Sequence, residues 1–463
     1  MRILLAVYDN DSYIHYFPQG IAYVAGALIA AGHEVEIWSQ DIHHYPDADL
    51  TARLDGGDYD LIGIGLIAGY YQYRRILSLA KAVNRAKKRP FFVLGGHGPT
   101  PDPAYFMKIT GADAVVMGEG ELTIVDLTRA LAAGRSEFAD IPGLAWRKND
   151  ECRINPRREL IGDLASIRWP AYDLFPMEVY RLLRYPNCTH TEFCLPVLSG
   201  RGCTFHCAFC YRMDTGFRPR TPDDVCDEVA FLQDRYRIGY IDFSDELLMS
   251  SKPRTLEFCQ RILDRKMRFR WSCNGRLNYA TPEVLKAMKA AGCVFINYGI
   301  ESVDDTVLKN MNKALTYKMI VRGIEATLAA GISPGLNVIF GNRGDNAETL
   351  RKSVDFIKKY SDFSQLRTIR PVTPYPGSPL YYDAIRDGQL KDCADFYENK
   401  HTNSDLLSVN FTELGDDEVH ELLRMANREL IGHYFESQRD SWLRQTDDLY
   451  GGRDPNFRGY RQT

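Results

Sequence analysis

The sequence predicts an α/β protein in three parts: a doubly wound parallel sheet over residues 1–135, a (β/α)6 partial barrel over 195–385, and a small, mostly helical C-terminal region over 386–463. Three observations carry this. Strand-like and helix-like periods alternate through the first 135 residues. The alternation resumes near Pro196. Between the two, Pro142, Pro156, Pro170, Pro176 and Pro186 break any long element and mark 136–194 as a linker.

Apolar runs at 3–7, 33–38, 61–67, 91–95 and 114–117 read as the strands of the first part. Ile21, Val24, Ala25 and Leu28 fall at i, i+3, i+4 and i+7, one face of a helix that Gly32 ends. Residues 74–88 carry the same period. Ligands of such sheets sit at the carboxyl ends of the strands. In the second part, strands are expected at 195–199, 240–243, 269–273, 294–300, 336–340 and 365–369. The tail reads as helical over 416–434 and then as a polar stretch rich in Gly, Arg and Asp.

At 463 residues, with 45% hydrophobic and 25% charged residues, the chain can bury a sizeable core, which argues against disorder and small disulfide scaffolds. A net charge of -4 supplies no overall positive field, so no nucleic-acid partner is expected. The longest uncharged stretch, 16–32, is interrupted by Pro18, Gln19 and Gly20, so no membrane partner is expected either. Met1 and Arg2 open a short apolar run without a signal-peptide cleavage pattern, and the expected location is the cytoplasm, with a homodimer possible.

Eleven cysteines, an odd number, make a poor disulfide framework, and only Cys203, Cys207 and Cys210 cluster. Their C-x3-C-x2-C spacing suits three soft thiolates gripping one iron–sulfur cluster, with one iron left open to substrate. Zinc, completed by His206 or Cys194, and a non-catalytic iron–sulfur module stay open as alternatives. The position after the first barrel strand favours chemistry, because active sites of such barrels gather at strand ends.

These three cysteines, with Phe209 before the third, resemble the signature of radical S-adenosylmethionine (SAM) enzymes. Gly299-Ile300-Glu301-Ser302 resembles a strand end whose glutamate helps hold SAM. Trp271-Ser272-Cys273-Asn274-Gly275-Arg276 resembles the strand where an arginine or small polar residue meets it. The 340–345 turn resembles the family's FGLPGET turn, with departures at Asn342 and Arg343. Thr373-Pro374-Tyr375-Pro376-Gly377-Ser378-Pro379-Leu380 resembles its late turn. The resemblance implies a [4Fe-4S] cluster on the cysteines and SAM held by Phe209, Glu301, Arg276 and Ser272. It also implies a 5′-deoxyadenosyl radical and an electron donor such as flavodoxin. Glu301 also admits a plain reading, a surface carboxylate after a strand.

The first part resembles the Rossmann-like cobalamin-binding domains fused to radical SAM barrels, through residues 18–25, Gly32-His33-Glu34-Val35, Gly95-Gly96-His97-Gly98-Pro99-Thr100 and Gly118-Glu119-Gly120-Glu121. Two departures put cobalamin itself in doubt. The D-x-H-x-x-G motif becomes Asp41-Ile42-His43-His44-Tyr45-Pro46, with proline in the glycine position. Tyr70, Tyr71 and Tyr73 are positioned by the sequence to fill the cofactor cleft. The expectation is therefore a cobalamin-independent enzyme, similar to the radical dehydratases of aminoglycoside antibiotic biosynthesis. Such an enzyme takes a hydrogen atom from an aminosugar diol, expels water, and leaves a ketone to a separate nicotinamide reductase. The alternative is a cobalamin-dependent radical SAM methyltransferase. For acid–base work and substrate ammonium groups, Asp245 and Glu246 are the best-placed pair, with Tyr211, Asp214 and Tyr298 behind them.

Overall fold

The computed structural model describes residues 1–11, 16–149, 151–213 and 215–454. The first sheet contains β1 (Arg2–Val7), β2 (Glu34–Ser39), β3 (Leu61–Gly65), β4 (Phe91–Gly95), β5 (Ala114–Val116), β6 (Leu144–Lys148) and β7 (Glu151–Ile154), in the order β2-β1-β3-β4-β5-β6-β7. The first five strands run parallel, as the alternation requires. Both faces are covered, so β1 is apolar from Ile3 to Val7. Ile3 and Leu5 pack beneath helices Gln19–Ala30 and Gly120–Ala132. Leu4 and Ala6 pack with Leu79, Val83 and Phe106 on the other side.

The sheet continues past 135. β6 and β7 add an antiparallel hairpin. Asn155 secures it, accepting from Trp146 Nε1 (3.2 Å) and donating to the carbonyls of Phe138 (2.6 Å) and Ile141 (2.8 Å).

β8 (Cys194–Val197) opens the second sheet. The short hairpin β9 (Gly200–Cys203) and β10 (Gly216–Pro219) follows it. β11 (Tyr240–Phe243), β12 (Arg270–Gly275), β13 (Cys293–Glu301), β14 (Ser333–Phe340) and β15 (Arg370–Pro371) complete a six-stranded parallel sheet, ordered β15-β14-β13-β12-β11-β8. Its helices start where the sequence signals them: Thr221, Thr281 and Ser378 accept from the backbone of the first turn, each followed by proline. The last strand forms later than the 365–369 run suggests and is two residues long. Ile369 is taken out of the ladder because Asn427 claims its N–H (2.8 Å) and its carbonyl (2.9 Å), and Pro371 has no N–H to continue.

Beyond β15 the chain crosses back. Leu380, Tyr381, Leu390, Phe396 and Phe411 join the core formed by Leu4, Tyr73 and Phe106 of the first domain. Helix Asp416–Tyr450 then returns to the barrel, burying Val419, Leu423, Ala426 and Leu430 at helical spacing. Glu429 pairs there with Arg351 (2.6 Å) and Lys358 (2.7 Å). The helix is longer than the 416–434 expectation, and much of the polar tail, 455–463, lies outside the described residues. No helix among the described residues is long and apolar enough to cross a membrane.

Phe396 is fully buried where the returning segment meets the first domain. Phe396→Ala should cost about 3–5 kcal/mol, the range for a deleted core phenylalanine, and denaturant unfolding should show it. A loss below about 1 kcal/mol, within ordinary surface scatter, would mean that this segment does not anchor the domain.

Candidate active site

β9 delivers Cys203 to a loop that neighbouring backbone grips on several sides. Ala208 donates to the Met311 carbonyl (2.9 Å) and accepts from Leu380 N–H (2.9 Å). Asn312 Nδ2 holds the His206 carbonyl (2.9 Å), and Arg212 holds that of Phe205 (2.8 Å). Gly377, at φ +90°, passes beneath Tyr211; a Cβ there would lie 2.6 Å from the ring. That contact explains the glycine of the 373–380 turn.

Cys207 is buried, and Cys203 and Cys210 are half-buried. Burial, with Cys207 and Cys203 as neighbours, pushes the Cys210 thiol up to about 11. Three soft thiol side chains on one loop make a donor set whose chemistry suits an iron–sulfur cluster. Arg276 Nη1 lies 3.5 Å from Cys207 Sγ, its guanidinium is 3.5 Å from the centre of the Phe205 ring, and Nη2 donates to the Lys313 carbonyl. Arg276 thus supports the cluster loop from below. The zinc alternative loses a ligand: Cys194 starts β8, while the cysteine loop follows the far end of that strand.

Glu301 ends β13 at φ +69°, a left-handed backbone that costs a non-glycine residue energy and clusters at functional sites. The register with β14 slips at this point. Its Oε1 accepts from Lys313 Nζ (3.0 Å), which lies 5.3 Å from the Phe209 ring centre. Glu301, Lys313 and Phe209 therefore form one unit. Lys313 had no sequence signal, because it stands in no motif.

Along β11 and the segment just after it, alternate residues face a cavity: Asp242, Ser244 and then Glu246 line it. The structure separates the pair expected to act together. Glu246 lines the cavity and accepts from Gly202 N–H (3.1 Å). Asp245 is fully buried on the opposite side, accepting from Ser199 N–H (2.6 Å) and Ser199 Oγ beside Arg254, and burial pushes its carboxyl up to about 6. It joins β8 to the β9 hairpin rather than facing a substrate. Ser272 donates to Asp242 (2.5 Å), a carboxylate the sequence did not single out. Tyr298 is in the core, bonded to Thr327 (3.0 Å). Tyr211 meets His97 edge to face at 6.1 Å, and Asp214 lies outside the described residues.

The cavity has a volume of about 620 Å³ and runs from the carboxyl ends of β1, β3 and β4 to the barrel wall at β8 and β11. Gly63, Gly65, Gly95 and Gly118 line it, and a Cβ on Gly63 or Gly65 would come within 3 Å of Leu5 or Ile21. The expected obstruction is absent from the lining. Tyr73 turns away into the core beneath its helix, bonding Tyr105 (2.7 Å) and stacking on Tyr397 at 4.7 Å. Tyr70 meets His401, and Tyr71 meets Tyr70. Pro46 leads into helix Asp47–Gly56, outside the cavity, and His43 stacks on Tyr45 at 4.9 Å. Asp41 alone of that motif reaches the cavity, accepting from Asn10. Two buried atoms in the lining residues have no partner: Gln19 Nε2 and Glu121 Oε2. An open cleft with glycine walls and unfilled polar positions fits a large cofactor.

A cysteine loop at the mouth of an incomplete parallel barrel, faced across a cleft by a doubly wound sheet, defines a radical SAM enzyme with an additional cofactor-type domain. Comparison with known proteins agrees: residues 197–357 match the radical SAM superfamily and residues 3–128 the B12 binding domain. An uncharacterized methyltransferase of Pyrococcus horikoshii is 30% identical over 402 residues, covering 84% of each chain. The cytidylyl-2-hydroxyethylphosphonate methyltransferase of Streptomyces wedmorensis is 24% identical over 92% of this chain and 87% of that one. Among solved structures, the radical SAM methyltransferase TsrM from Kitasatospora setae, with cobalamin and a [4Fe-4S] cluster bound, superposes with a TM-score of 0.72 at 18% identity, over 93% of this chain and 90% of its own. The chain belongs to the radical SAM enzymes that carry an N-terminal B12 binding domain.

These relatives overturn the expected dehydratase. The similarity runs through methyltransferases over most of the chain. The doubt about cobalamin is corrected too, by the matched B12 domain and by an open cleft that Tyr70, Tyr71, Tyr73 and Pro46 leave free.

Replacing Cys203, Cys207 or Cys210 by alanine should abolish the cluster. Iron and sulfide, each near about four per chain in the reconstituted wild type, should fall sharply, and SAM cleavage should stop. Zinc in place of iron in the reconstituted wild type, or alanine variants that keep the wild-type iron content, would refute the cluster. Glu301→Gln should weaken SAM binding by roughly 10-fold or more while the cluster absorbance stays unchanged, since one charged acceptor is lost. Unchanged affinity in equilibrium dialysis would leave Glu301 a purely conformational role.

Proposed function

We propose that the protein is a cobalamin-dependent radical SAM methyltransferase acting on a small molecule. One observation carries this: a single cavity joins the first domain's glycine-lined strand ends to the barrel wall beside the cysteine loop. When bound, the cluster with SAM supplies a hydrogen-abstracting radical, and cobalamin supplies the methyl group.

The chain's own residues do the remaining work. Cys203, Cys207 and Cys210 hold the cluster, and Arg276 braces Cys207. Glu301, fixed by Lys313, offers a carboxylate for SAM. Gly63, Gly65, Gly95 and Gly118 leave room for the macrocycle. Tyr185, Leu198 and Met213 give the barrel side of the cleft an apolar wall that excludes water. Asp242 and Glu246 face the same space and are the groups available to orient an acceptor or move its proton. Burial pushes the Asp242 carboxyl up to about 6, close to the range useful for proton transfer. A one-electron donor such as flavodoxin completes the reading.

The test is incubation of the reconstituted protein with methyl-labelled SAM, a low-potential reductant and hydroxocobalamin. The expected result is cobalamin retained through gel filtration and S-adenosylhomocysteine formed only when cobalamin is present. Formation of 5′-deoxyadenosine alone, at the same rate with and without cobalamin, would defeat the methyltransferase.

A further inference from the structure

Glu121 stands in the first turn of helix Gly120–Ala132, at the cavity wall, with only 5% of its surface exposed. Its two oxygens are used differently. Oε1 accepts from Arg201 Nη2 at 2.6 Å. Oε2 is buried and has no donor among the described residues. A buried carboxylate oxygen left without a donor is costly, and the cost is removed when a ligand supplies an N–H or O–H. Glu119, two residues earlier, makes the contrast: both its oxygens are engaged, by Arg201 (2.8 Å), Arg218 (2.9 Å) and Ile161 N–H (2.9 Å).

Arg201 lies two residues before Cys203 on β9, and Arg218 lies on β10. The strand pairing sets Arg218 opposite Arg201 and Gly216 opposite Cys203. The carboxylate with an unfilled oxygen at the cofactor cleft is therefore bonded directly to the hairpin that carries a cluster ligand.

We infer that Glu121 is a positioning residue that couples the two cofactor sites: Oε2 accepts a hydrogen bond from bound cobalamin, while Oε1 holds the Arg201 hairpin and with it Cys203. The inference rests on the cobalamin-dependent reading. The donor is a primary amide of the corrin periphery or a hydroxyl of the nucleotide ribose, and both fit a lone acceptor at the cleft wall. Filling Oε2 fixes the carboxylate, which stiffens its grip on Arg201. A hairpin that stiffens only when the cleft is filled presents Cys203 in one geometry when the methyl carrier is in place. Coupling of this kind is reciprocal, so cluster loading should also tighten cobalamin binding.

The test uses the full chain reconstituted with iron and sulfide. Hydroxocobalamin is titrated into the wild type and Glu121→Gln, and amide hydrogen exchange is followed over 200–203 and 216–219. Glu121→Gln should bind roughly 10- to 100-fold more weakly, the range for a hydrogen bond to a charged acceptor. In the wild type, cobalamin should slow exchange across the hairpin; in Glu121→Gln at saturation it should not. Cobinamide, which lacks the ribose, identifies the donor: the same loss assigns a corrin amide, and insensitivity to the substitution assigns the ribose. Equal cobalamin affinity in the two proteins overturns the inference, as does a wild-type hairpin whose exchange ignores cobalamin. The second outcome needs no variant to fold. Failure of the wild type to bind cobalamin at all would instead remove the methyltransferase reading, and the inference with it.

Discussion

The contact on which the site depends is the buried ion network of Glu119, Glu121, Arg201 and Arg218. It joins the first domain's β5–helix turn to the hairpin that carries Cys203. Its side chains are only 7% to 15% exposed, so little water shares the charge. Burial alone would raise the Glu119 carboxyl, yet Arg218 and Arg201 hold it below its usual range. Pairs like these recover their desolvation only when the geometry is close and the remaining positions are bonded. Ring stacking helps: the Arg201 guanidinium lies 5.1 Å from the centre of the Tyr23 ring. The network ties the end of β5 directly to the cluster loop. The cleft between them takes its shape from that tie.

That shape explains two features of the strands. β3 has glycine at 63 and 65, where side chains would close the cleft against Leu5 and Ile21. β11 and the segment just after it show Asp242, Ser244 and Glu246 to the cleft, while Asp245 is buried and secures the chain between β8 and β9. Of these neighbouring carboxylates, Glu246 is turned to the cleft and Asp245 makes a purely internal bond.

The fold was largely legible in the sequence, and the site was legible in part. Alternating periods placed the strands of both sheets, and the prolines marked the change between them. The cysteine spacing and the 299–302 strand end pointed to residues that the structure gathers at one mouth. Three matters were beyond sequence reading. Tyr70, Tyr71 and Tyr73 lie in one short run, but which way an amphipathic helix turns depends on the partners beneath it. Here Tyr105 and Tyr397 took Tyr73 away from the cleft. Asp245 and Glu246 are adjacent in sequence, and adjacency conceals the different directions their side chains take in the segment just after β11. Lys313 and Glu121 gain their meaning from contacts with Glu301 and Arg201, 12 and 80 residues away.

The route of the chain after β15 bears on how the molecule is made. Val372, Leu380, Tyr381, Phe396 and Phe411 complete a core that Leu4 and Ile62 begin. On a ribosome, the first domain therefore emerges with one face of its sheet still incomplete, and it waits from Ile154 to Val372 and beyond for the residues that complete it. Contacts of that sequence separation form late and expose apolar surface in the interval. An isolated N-terminal fragment inherits that bare face, so the B12 domain of this protein does not behave as a transferable module. A graft into another enzyme would have to bring the 372–411 strap along with it.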